Sequence, residues 1–553
     1  MKNKDTALWI FKKFKNFIPA VILLCVLSSL VSISSVALIM IVRRVLNDAQ
    51  VGITGSVLIR NIVLLVIVLI AQIVINVLDG FLRNKTMFKM DMQLKDCLFG
   101  ELIRKDYKKI TAFHSGELVN RFSSDVDVVV RGFSSIIPSA VSLIVKLIAG
   151  VVVIAALNPV IAVFVVLVGF IFPFLGRIIS KKYKNLHKEV QRTDGTVRSF
   201  LQECIQNIIV IKTFSANNPV RGKLSEYLKD NFKIKMKRTH LSILMNNGLY
   251  STFTLGYYAV FIWGAIRIAE GTLQYGTFFA FLNLVSLLRT PLQNISGLIP
   301  QYFSTIASAE RLIELEQVED EKFDSNVDTN MLYDNMKSIC AEGLCFSYDD
   351  DHTVIDSSDF SIEKGSICAL MGKSGIGKST LFKLLLGLYA QNSGRLFIRT
   401  DAEDIAIDSS LRSLFSYVPQ GVMVLSGTIR ENITFLSGDV SKESLENATR
   451  QADIYDFITS LPQGFDTPIG ERGLGLSEGQ LQRIAIARAL LADAPILLLD
   501  ECTSALDMNT ERKILENLKN ERNKTVILIT HRRAALDICD TVLMLEDGKI
   551  THK

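Results

Sequence analysis

At 553 residues the chain exceeds one ordinary core and implies at least two domains. With 49% apolar residues and a positive mean hydropathy, its composition excludes an ordinary soluble protein of this length. The net charge of +5 hides a split: residues 1–310 carry 36 Lys+Arg against 17 Asp+Glu, and residues 311–553 carry 25 against 39. The basic half is also the apolar half, which fits a membrane domain with Lys/Arg-rich extensions better than a nucleic-acid binder. The 8 cysteines are scattered without a CxxC pair, so neither a disulfide framework nor a zinc site is expected.

The N-terminus is basic at Lys12, Lys13 and Lys15 before an apolar run from Phe17 to Val42. That run is too long for a signal peptide and lacks a small-residue cleavage site, so it reads as an uncleaved span. A bilayer-crossing helix needs about 20 apolar residues. Six stretches qualify: 17–42, 59–82, 133–157, 159–180, 241–268 and 277–304. Long basic stretches, 83–131 and 181–240, alternate with short connectors. An even number of spans puts both termini and both long stretches on one side, and their Lys and Arg make that side cytoplasmic. Arg43-Arg44 then falls at the outer end of the first span, where it is expected to snorkel or line an outer cavity.

The long stretches carry apolar residues at helical spacing, so the membrane helices are expected to continue beyond the bilayer. Breaks are expected near Ala112–Leu118 and Thr213–Pro219. Residues 1–310 form the expected membrane domain. An acidic, weakly apolar linker follows at 311–336. From Lys337 to the end, short apolar runs alternate with amphipathic helices, an α/β pattern with buried strands. The expected fold is therefore an all-α six-helix transmembrane domain followed by an α/β P-loop nucleotide-hydrolase domain.

The second domain carries the chemistry. Tyr348 ends "FSY" ahead of a phosphate loop, where its ring either stacks on adenine or sits as a surface aromatic. "GKSGIGKST" comprises Gly372, Lys373, Ser374, Gly375, Ile376, Gly377, Lys378, Ser379 and Thr380. It satisfies G-x-x-x-x-G-K-[ST] between an apolar strand and a helix. Its glycines let backbone N–H groups close on phosphates, Lys378 brings a point charge to them, and Ser379 can ligate Mg²⁺. Gln420 ends "YVPQ" with an amide able to touch both metal and attacking water. "ILLLDE" is a buried strand ending in Asp500, placed to hold Mg²⁺, and Glu501, placed to activate water. "ILITHR" brings His531 to the end of another strand, as a γ-phosphate contact.

These motifs, with Leu476–Gln480 ("LSEGQ") and Ser504–Asp507 ("SALD"), resemble in order and spacing the ATP-binding cassette of ABC transporters. The six preceding spans resemble the membrane half of the exporter type, so the resemblance covers essentially the whole chain. It implies ATP and Mg²⁺ as cofactors and Glu501 as general base. It makes Gln420 the sensor of metal and membrane domain, and "SALD" the loop that speaks across a dimer. "GERG" (Gly470–Gly473) would meet the partner's coupling helix. Ser477, Gly479 and Gln480 would cap the γ-phosphate bound by the other subunit. Glu478 departs from the commonest signature, which has Gly there. Cys502 replaces a small residue and is either redox-sensitive or a buried inert thiol. The chain ends 22 residues after His531, so dimer contacts are expected from nucleotides and membrane helices.

The resemblance implies a homodimer, with a heterodimer as the alternative, in a bacterial cytoplasmic membrane with termini and cassette in the cytoplasm. Its partners are membrane lipid and a small-molecule or peptide cargo, with no nucleic acid. Polar residues inside spans mark candidate cargo contacts: Lys146, Asn76, Asn247, Tyr250 and Asn283. Gln72, Asn76, Asp79 and Arg83 share one face of the second span. Ser28, Ser32 and Ser35 form a stripe on the first that suits helix packing. The fifth span also carries Thr254 and Tyr257 or Tyr258, and the sixth adds Ser286, Arg289, Thr290, Gln293 and Asn294. Such a cavity suits an amphipathic or peptide-like cargo with anionic or zwitterionic groups. The expected activity is ATP-driven export, with lipid flipping, uptake on the same fold, or a regulatory ATPase as alternatives. Leader-peptide cleavage is not expected.

Overall fold

The computed structural model describes residues 3–52, 55–321, 329–348, 353–421, 424–435, 440–470, 473, 475–520 and 524–553. Side chains 164–181 and a few further helix positions fall outside the description, among them most of the fourth span and Gln293. Two compact units are formed, one from Met1–Gly100 with Ser115–Gln317 and one from Glu101–His114 with Val318–Lys553.

The first unit is built on long helices: Ile18–Gln50, Ser56–Leu102, Ile137–Leu157, Pro159–Gln206, Asn217–Ala269 and Tyr275–Glu316. At 1.5 Å per residue the 53-residue helix is roughly 80 Å long, far beyond the bilayer's hydrocarbon core of about 30 Å. Among the described residues three segments are long and apolar enough to cross a membrane, namely Lys15–Gln50, Ser56–Leu102 and Ser115–Leu157. Asn158 starts the fourth helix sharply. Its side chain accepts from the N–H groups of Val160 (3.0 Å) and Ile161 (3.3 Å), and Pro159 occupies the first turn, where no N–H is needed.

Small and polar residues join the spans. Ser32 Oγ lies 2.8 Å from Ser142 Oγ, which ties the first span to the third and assigns the serine stripe to helix packing. The second span bonds the first through Gln72 to Ser35 (3.0 Å) and through Ser28 to Asp79 (3.0 Å), with Arg83 bonded to both Ser28 and Asp79. Asn76, on the same face, stays exposed. Arg43 donates its Nε to Thr277 Oγ1 at 3.1 Å, at the start of the sixth helix, while Arg44 is exposed.

The third span is reached through two π-helical segments, Arg121–Asp125 and Gly132–Ile136. Both pack on the sixth helix. Buried Arg121 donates to Arg311 O (2.6 Å) and Glu314 (2.8 Å). Buried Asp125 accepts from Ser308 (2.9 Å) and Arg311 (2.8 Å).

The expected breaks are present. Short helices Tyr107–Thr111 and Ile208–Thr213 sit at the tips of the two long polar stretches. The first tip belongs to the second unit. Its Asp106 N–H donates to Glu319 O (3.0 Å), Lys105 pairs with Asp320 (2.8 Å), and the Tyr107 ring meets Tyr389 edge-on at 5.7 Å. The second tip exposes Ile205, Ile209 and Phe214. The stretch expected as a linker opens as the end of the sixth helix, at Glu316, and closes as a short helix, Thr329–Asn335. Ala307, Ala309 and Leu312 continue the helical spacing past residue 310, and Ala309 and Leu312 are buried, so nothing stops the helix there.

In the second unit, β1 (Met336–Ser347), β2 (Thr353–Glu363), β4 (Ser393–Thr400) and β5 (Asp404–Ala406) form an antiparallel sheet ordered β2-β1-β4-β5. The strands β3 (Ile367–Gly372), β6 (Phe415–Val418), β9 (Ile496–Asp500), β10 (Thr525–Ile529), β11 (Thr541–Glu546) and β12 (Lys549–His552) form a sheet ordered β12-β11-β3-β10-β9-β6. A small pair joins β7 (Gly427–Thr428) and β8 (Pro468–Ile469). Strands β9 and β10 are buried along their whole length, which is why they read as unbroken apolar runs.

Candidate functional site

The site follows from strand register. Parallel pairing sets Leu370 beside Ile529 and Ile529 beside Asp500. The carboxyl ends of β3, β10 and β9 therefore open at one edge of the sheet, where an α/β fold binds its ligand. Residues 372–380 leave β3, Asp500-Glu501 end β9, and His531 follows β10.

The loop after β3 needs its glycines. Gly372 has φ +149°, and a Cβ there would lie 2.5 Å from Leu545 O. Gly377 has φ +118°, with a Cβ 2.2 Å from Val354. A larger residue at either place is strained and obstructed. Lys373, Ser374 and Gly375 are exposed and Ile376 half-buried, so the loop's outer face is open, and helix Lys378–Leu385 starts directly beneath it. Lys378 is buried, and its ammonium donates to Gly372 O (2.8 Å) and Lys373 O (3.1 Å) and lies 3.1 Å from His531 Nε2. Burial lowers its pKa, against the opposing pull of Glu501 and Asp500. A cation held over a ring of backbone donors is a cradle for phosphate.

Asp500 is buried, and burial raises its carboxyl pKa, while hydrogen bonds from Ser379 and Tyr417 pull it down. Tyr417 OH donates to Oδ2 at 3.3 Å, and Oδ1 has no hydrogen-bond partner among the described residues. A buried carboxylate oxygen left open beside Ser379 has the donor chemistry a hard divalent cation takes. Glu501 Oε2 accepts from Gln420 Nε2 at 2.8 Å, and Oε1 lies 3.8 Å from His531 Nε2. Glu501 also adopts φ +51°, a left-handed backbone worth about 1–3 kcal/mol of strain, held by its N–H donating to Ile529 O at 3.1 Å. Its neighbour Cys502 is buried with its pKa pushed up to about 12. A thiol buried in this way favours its protonated form, which fits the inert reading.

Tyr348 is 39% exposed, packs edge-on against Phe346 and Tyr389, and its OH lies 3.0 Å from Thr380 Oγ1. One ring is thus anchored beside the phosphate loop with a face partly free.

Ser477 caps helix Glu478–Leu491. Its Oγ accepts from Gln480 N–H (3.3 Å), and Gln480 Oε1 accepts from Ser477 N–H (2.8 Å). This reciprocal pair fixes the serine at the helix N-terminus, with its own O–H still available. Gly479 lies so close to the 504–507 turn that a Cβ would stand 3.0 Å from Ala505 O. Ser477 and Glu478 are exposed, and no contact joins Ser477 to Lys378 among the described residues. Of "GERG", Glu471 and Arg472 lie outside the described residues.

The structure thus gathers Gly372–Thr380, Tyr348, Gln420, Asp500, Glu501 and His531 around one edge, with Ser477, Gly479 and Gln480 on a separate helix start. Sequence reading missed Tyr417 and the residues around the 504–507 turn. Tyr417 sits on β6, in "YVPQ", where only the final amide stood out. Gln482 is a buried amide in helix Glu478–Leu491, and its sequence signal is lost among the neighbouring Gln480 and Arg483.

The membrane candidates are more dispersed. Lys146 is half-buried and forms no ion pair among the described residues, and Asn247 is exposed. Asn283 turns its amide back to Phe279 O at 2.9 Å, satisfying itself within its own helix. No hydrogen bond or ion pair joins any two of Lys146, Asn76, Asn247, Tyr250 and Asn283 among the described residues. Instead a cavity of about 260 Å³ opens between the fifth and sixth helices, lined by Thr254, Tyr257, Tyr258, Val285, Ser286 and Arg289. The Arg289 guanidinium lies 4.2 Å from the centre of the Tyr250 ring, a cation–π contact.

Known proteins share this arrangement. The pattern described as ABC transporter transmembrane region matches residues 21–292, and that described as ABC transporter matches residues 355–504. An ATP-dependent lipid A-core flippase of Pseudomonas fluorescens (strain Pf0-1) is 30% identical over 501 residues, covering 86% of this chain and 80% of the relative. A fatty acid ABC transporter ATP-binding/permease protein of Mycobacterium bovis is 29% identical over 475 residues, covering 85% and 74%. A solved bacterial Atm1-family ABC exporter with ATP bound superposes with TM-score 0.78 at 24% identity, covering 97% of this chain and 94% of that one. Fold, ordered nucleotide motifs and relatives agree: the chain belongs to the ABC transporter family, as an ATP-hydrolysing exporter with its transmembrane region and cassette in one polypeptide.

Proposed function

We propose that two copies of this chain export an amphipathic cargo bearing an anionic group, with both cassettes on the cytoplasmic side. The observation that carries the cargo class is Arg289. It lies within the sixth span without a carboxylate partner among the described residues, stacked on Tyr250 at the rim of a hydroxyl-lined cavity. A cation inside a membrane is costly unless a counter-charge meets it, and an acidic cargo group supplies one. Lys146, half-buried in the third span, adds a second cation. Arg289→Ala is expected to raise the concentration of acidic cargo needed for half-maximal ATPase stimulation by about tenfold, with basal ATPase retained. Unchanged stimulation by acidic cargo removes Arg289 from the site. Lys146→Ala is the parallel test for the second cation.

Flipping of an acidic lipid is a second reading, favoured by relatives named for lipid A-core and fatty acid transport. Acidic lipids and acidic peptides in the same stimulation assay separate the two.

In each cassette the phosphates of ATP would occupy the 372–380 cradle, with Lys378 exchanging its bonds to Gly372 O and Lys373 O for phosphate oxygens. Tyr348 would stack on adenine. Mg²⁺ would be held by Ser379, Asp500 and Gln420, where it offsets the charge of the β- and γ-phosphates. Glu501 would take the proton of the attacking water as its oxygen bonds to the γ-phosphorus and the bond to the β-phosphate oxygen breaks. ADP leaves with the electron pair. His531, within reach of Lys378 and Glu501, would hold the γ-phosphate oxygens. The exposed Ser477 makes no contact with Lys378 among the described residues, which supports its use by ATP on a second copy. The apolar tip at Ile205, Ile209 and Phe214 supports the same dimer as a surface for the partner.

A further inference from the structure

The turn Ser504–Asp507 has no regular secondary structure, yet it is held from two sides. On one side stands Arg532, the residue directly after His531. Its guanidinium donates to Ser504 O (2.6 Å), Leu506 O (3.0 Å) and Glu511 Oε2 (2.7 Å). Glu511 is 1% exposed, and its other oxygen accepts from Thr503 Oγ1 at 2.7 Å. A buried carboxylate with both oxygens engaged fixes the guanidinium, and the planar fork then fixes two carbonyls at once. On the other side stands buried Gln482, from the helix that Ser477 caps. Its Nε2 donates to Ser504 Oγ (3.2 Å), and its Oε1 accepts from Ala505 N–H (3.1 Å). The turn is thus bolted to the neighbour of the γ-phosphate contact and to the helix offered to the partner's ATP.

We propose that Arg532, braced by Glu511 and opposed by Gln482, is a positioning residue that acts on the ATP held by the partner chain. His531 senses the γ-phosphate of its own site. Because Arg532 is its covalent neighbour, a shift of His531 on phosphate loss moves the carbonyls of Ser504 and Leu506. The turn carries that displacement to the second site. Arg532 thereby links hydrolysis in one site to the geometry of the other. The inference rests on the dimeric reading above, and co-purification of two differently tagged copies checks that reading separately.

Mixed dimers in lipid test the proposal. In the first, one chain carries Arg532→Ala with Glu501→Gln and the other is wild type, so the working site is completed by the altered turn. In the second, Arg532→Ala is in one chain and Glu501→Gln in the other, so the working site keeps an intact partner turn. The wild-type/Glu501→Gln dimer is the reference. The first dimer is expected to turn over about fivefold or more slowly than the second. Equal rates, or a slower second dimer, overturn the proposal, because a merely structural or same-chain role lowers the second at least as much. If Arg532→Ala does not assemble, Gln482→Ala in the same two arrangements decides by the same ratio. Arg532→Lys, which keeps the charge but loses the fork, is expected to fall between alanine and wild type in the first arrangement.

Discussion

Asp500 and Glu501 are adjacent carboxylates with different surroundings, and the difference assigns them different work. Asp500 is buried with an open oxygen, and burial raises its pKa above that of the unfolded chain. A raised carboxyl pKa means that the ionised form is disfavoured in the folded state. This group therefore stabilises the fold most at low pH, and the contribution is lost as pH rises through its folded pKa. The ionised form costs stability until a cation meets it. Asp500→Asn is accordingly expected to raise the melting temperature of the nucleotide-free protein while abolishing Mg²⁺-dependent turnover, as followed by thermal unfolding and phosphate release. A lower melting temperature contradicts this electrostatic reading. Glu501, by contrast, is oriented by Gln420 and held in a left-handed backbone. Glu501→Gln is expected to bind ATP normally but to lose roughly 10²–10⁴-fold in turnover, the usual worth of a general base. Retained hydrolysis would remove Glu501 from that role.

At the scale of elements, what the sequence made legible is what local chemistry dictates. The phosphate loop, the buried strands and the long helices each follow from short-range pattern, and Asn158-Pro159 stops and restarts a helix through its own side chain and ring. Arg121, Asp125 and the π-helical segments around them were not legible, because their partners Ser308, Arg311 and Glu314 lie 183 to 193 residues away. Pattern reading sees amphipathic spacing, and nothing in it marks which charged residue on one helix meets which on another. The same limit scattered the cargo candidates: Asn283 looked available, but an amide in a helix can satisfy itself on the carbonyl four residues back. Asp125→Ala leaves Ser308 and the Arg311 head without their acceptor. It is expected to destabilise the membrane domain by about 1–3 kcal/mol, read as a lower thermal midpoint in lipid or detergent, whereas Asp125→Asn retains part of that bonding and falls less. A neutral alanine variant contradicts a structural role for this pairing.

The whole molecule is an exporter chain that brings phosphate loop, carboxylates and His531 to one sheet edge, while the capped helix at Ser477 makes no contact with Lys378 among the described residues. Two copies resolve this if each lends that helix to the other. A mixed dimer with Ser477→Ala in one chain and Lys378→Ala in the other places both defects in one site under exchange between chains. It is expected to keep about half of wild-type hydrolysis, whereas within-chain sites lose both. Hydrolysis alone does not separate a transporter from an ATPase that gates or senses. The decisive measurement is vectorial movement in sealed vesicles carrying the purified protein, with ATP supplied to the cassette side and acidic amphipathic probes followed across the bilayer. ATP-dependent transfer, away from the cassettes and lost in Glu501→Gln, is the expected result. Sustained ATP hydrolysis with no movement of any acidic peptide or acidic lipid probe contradicts it.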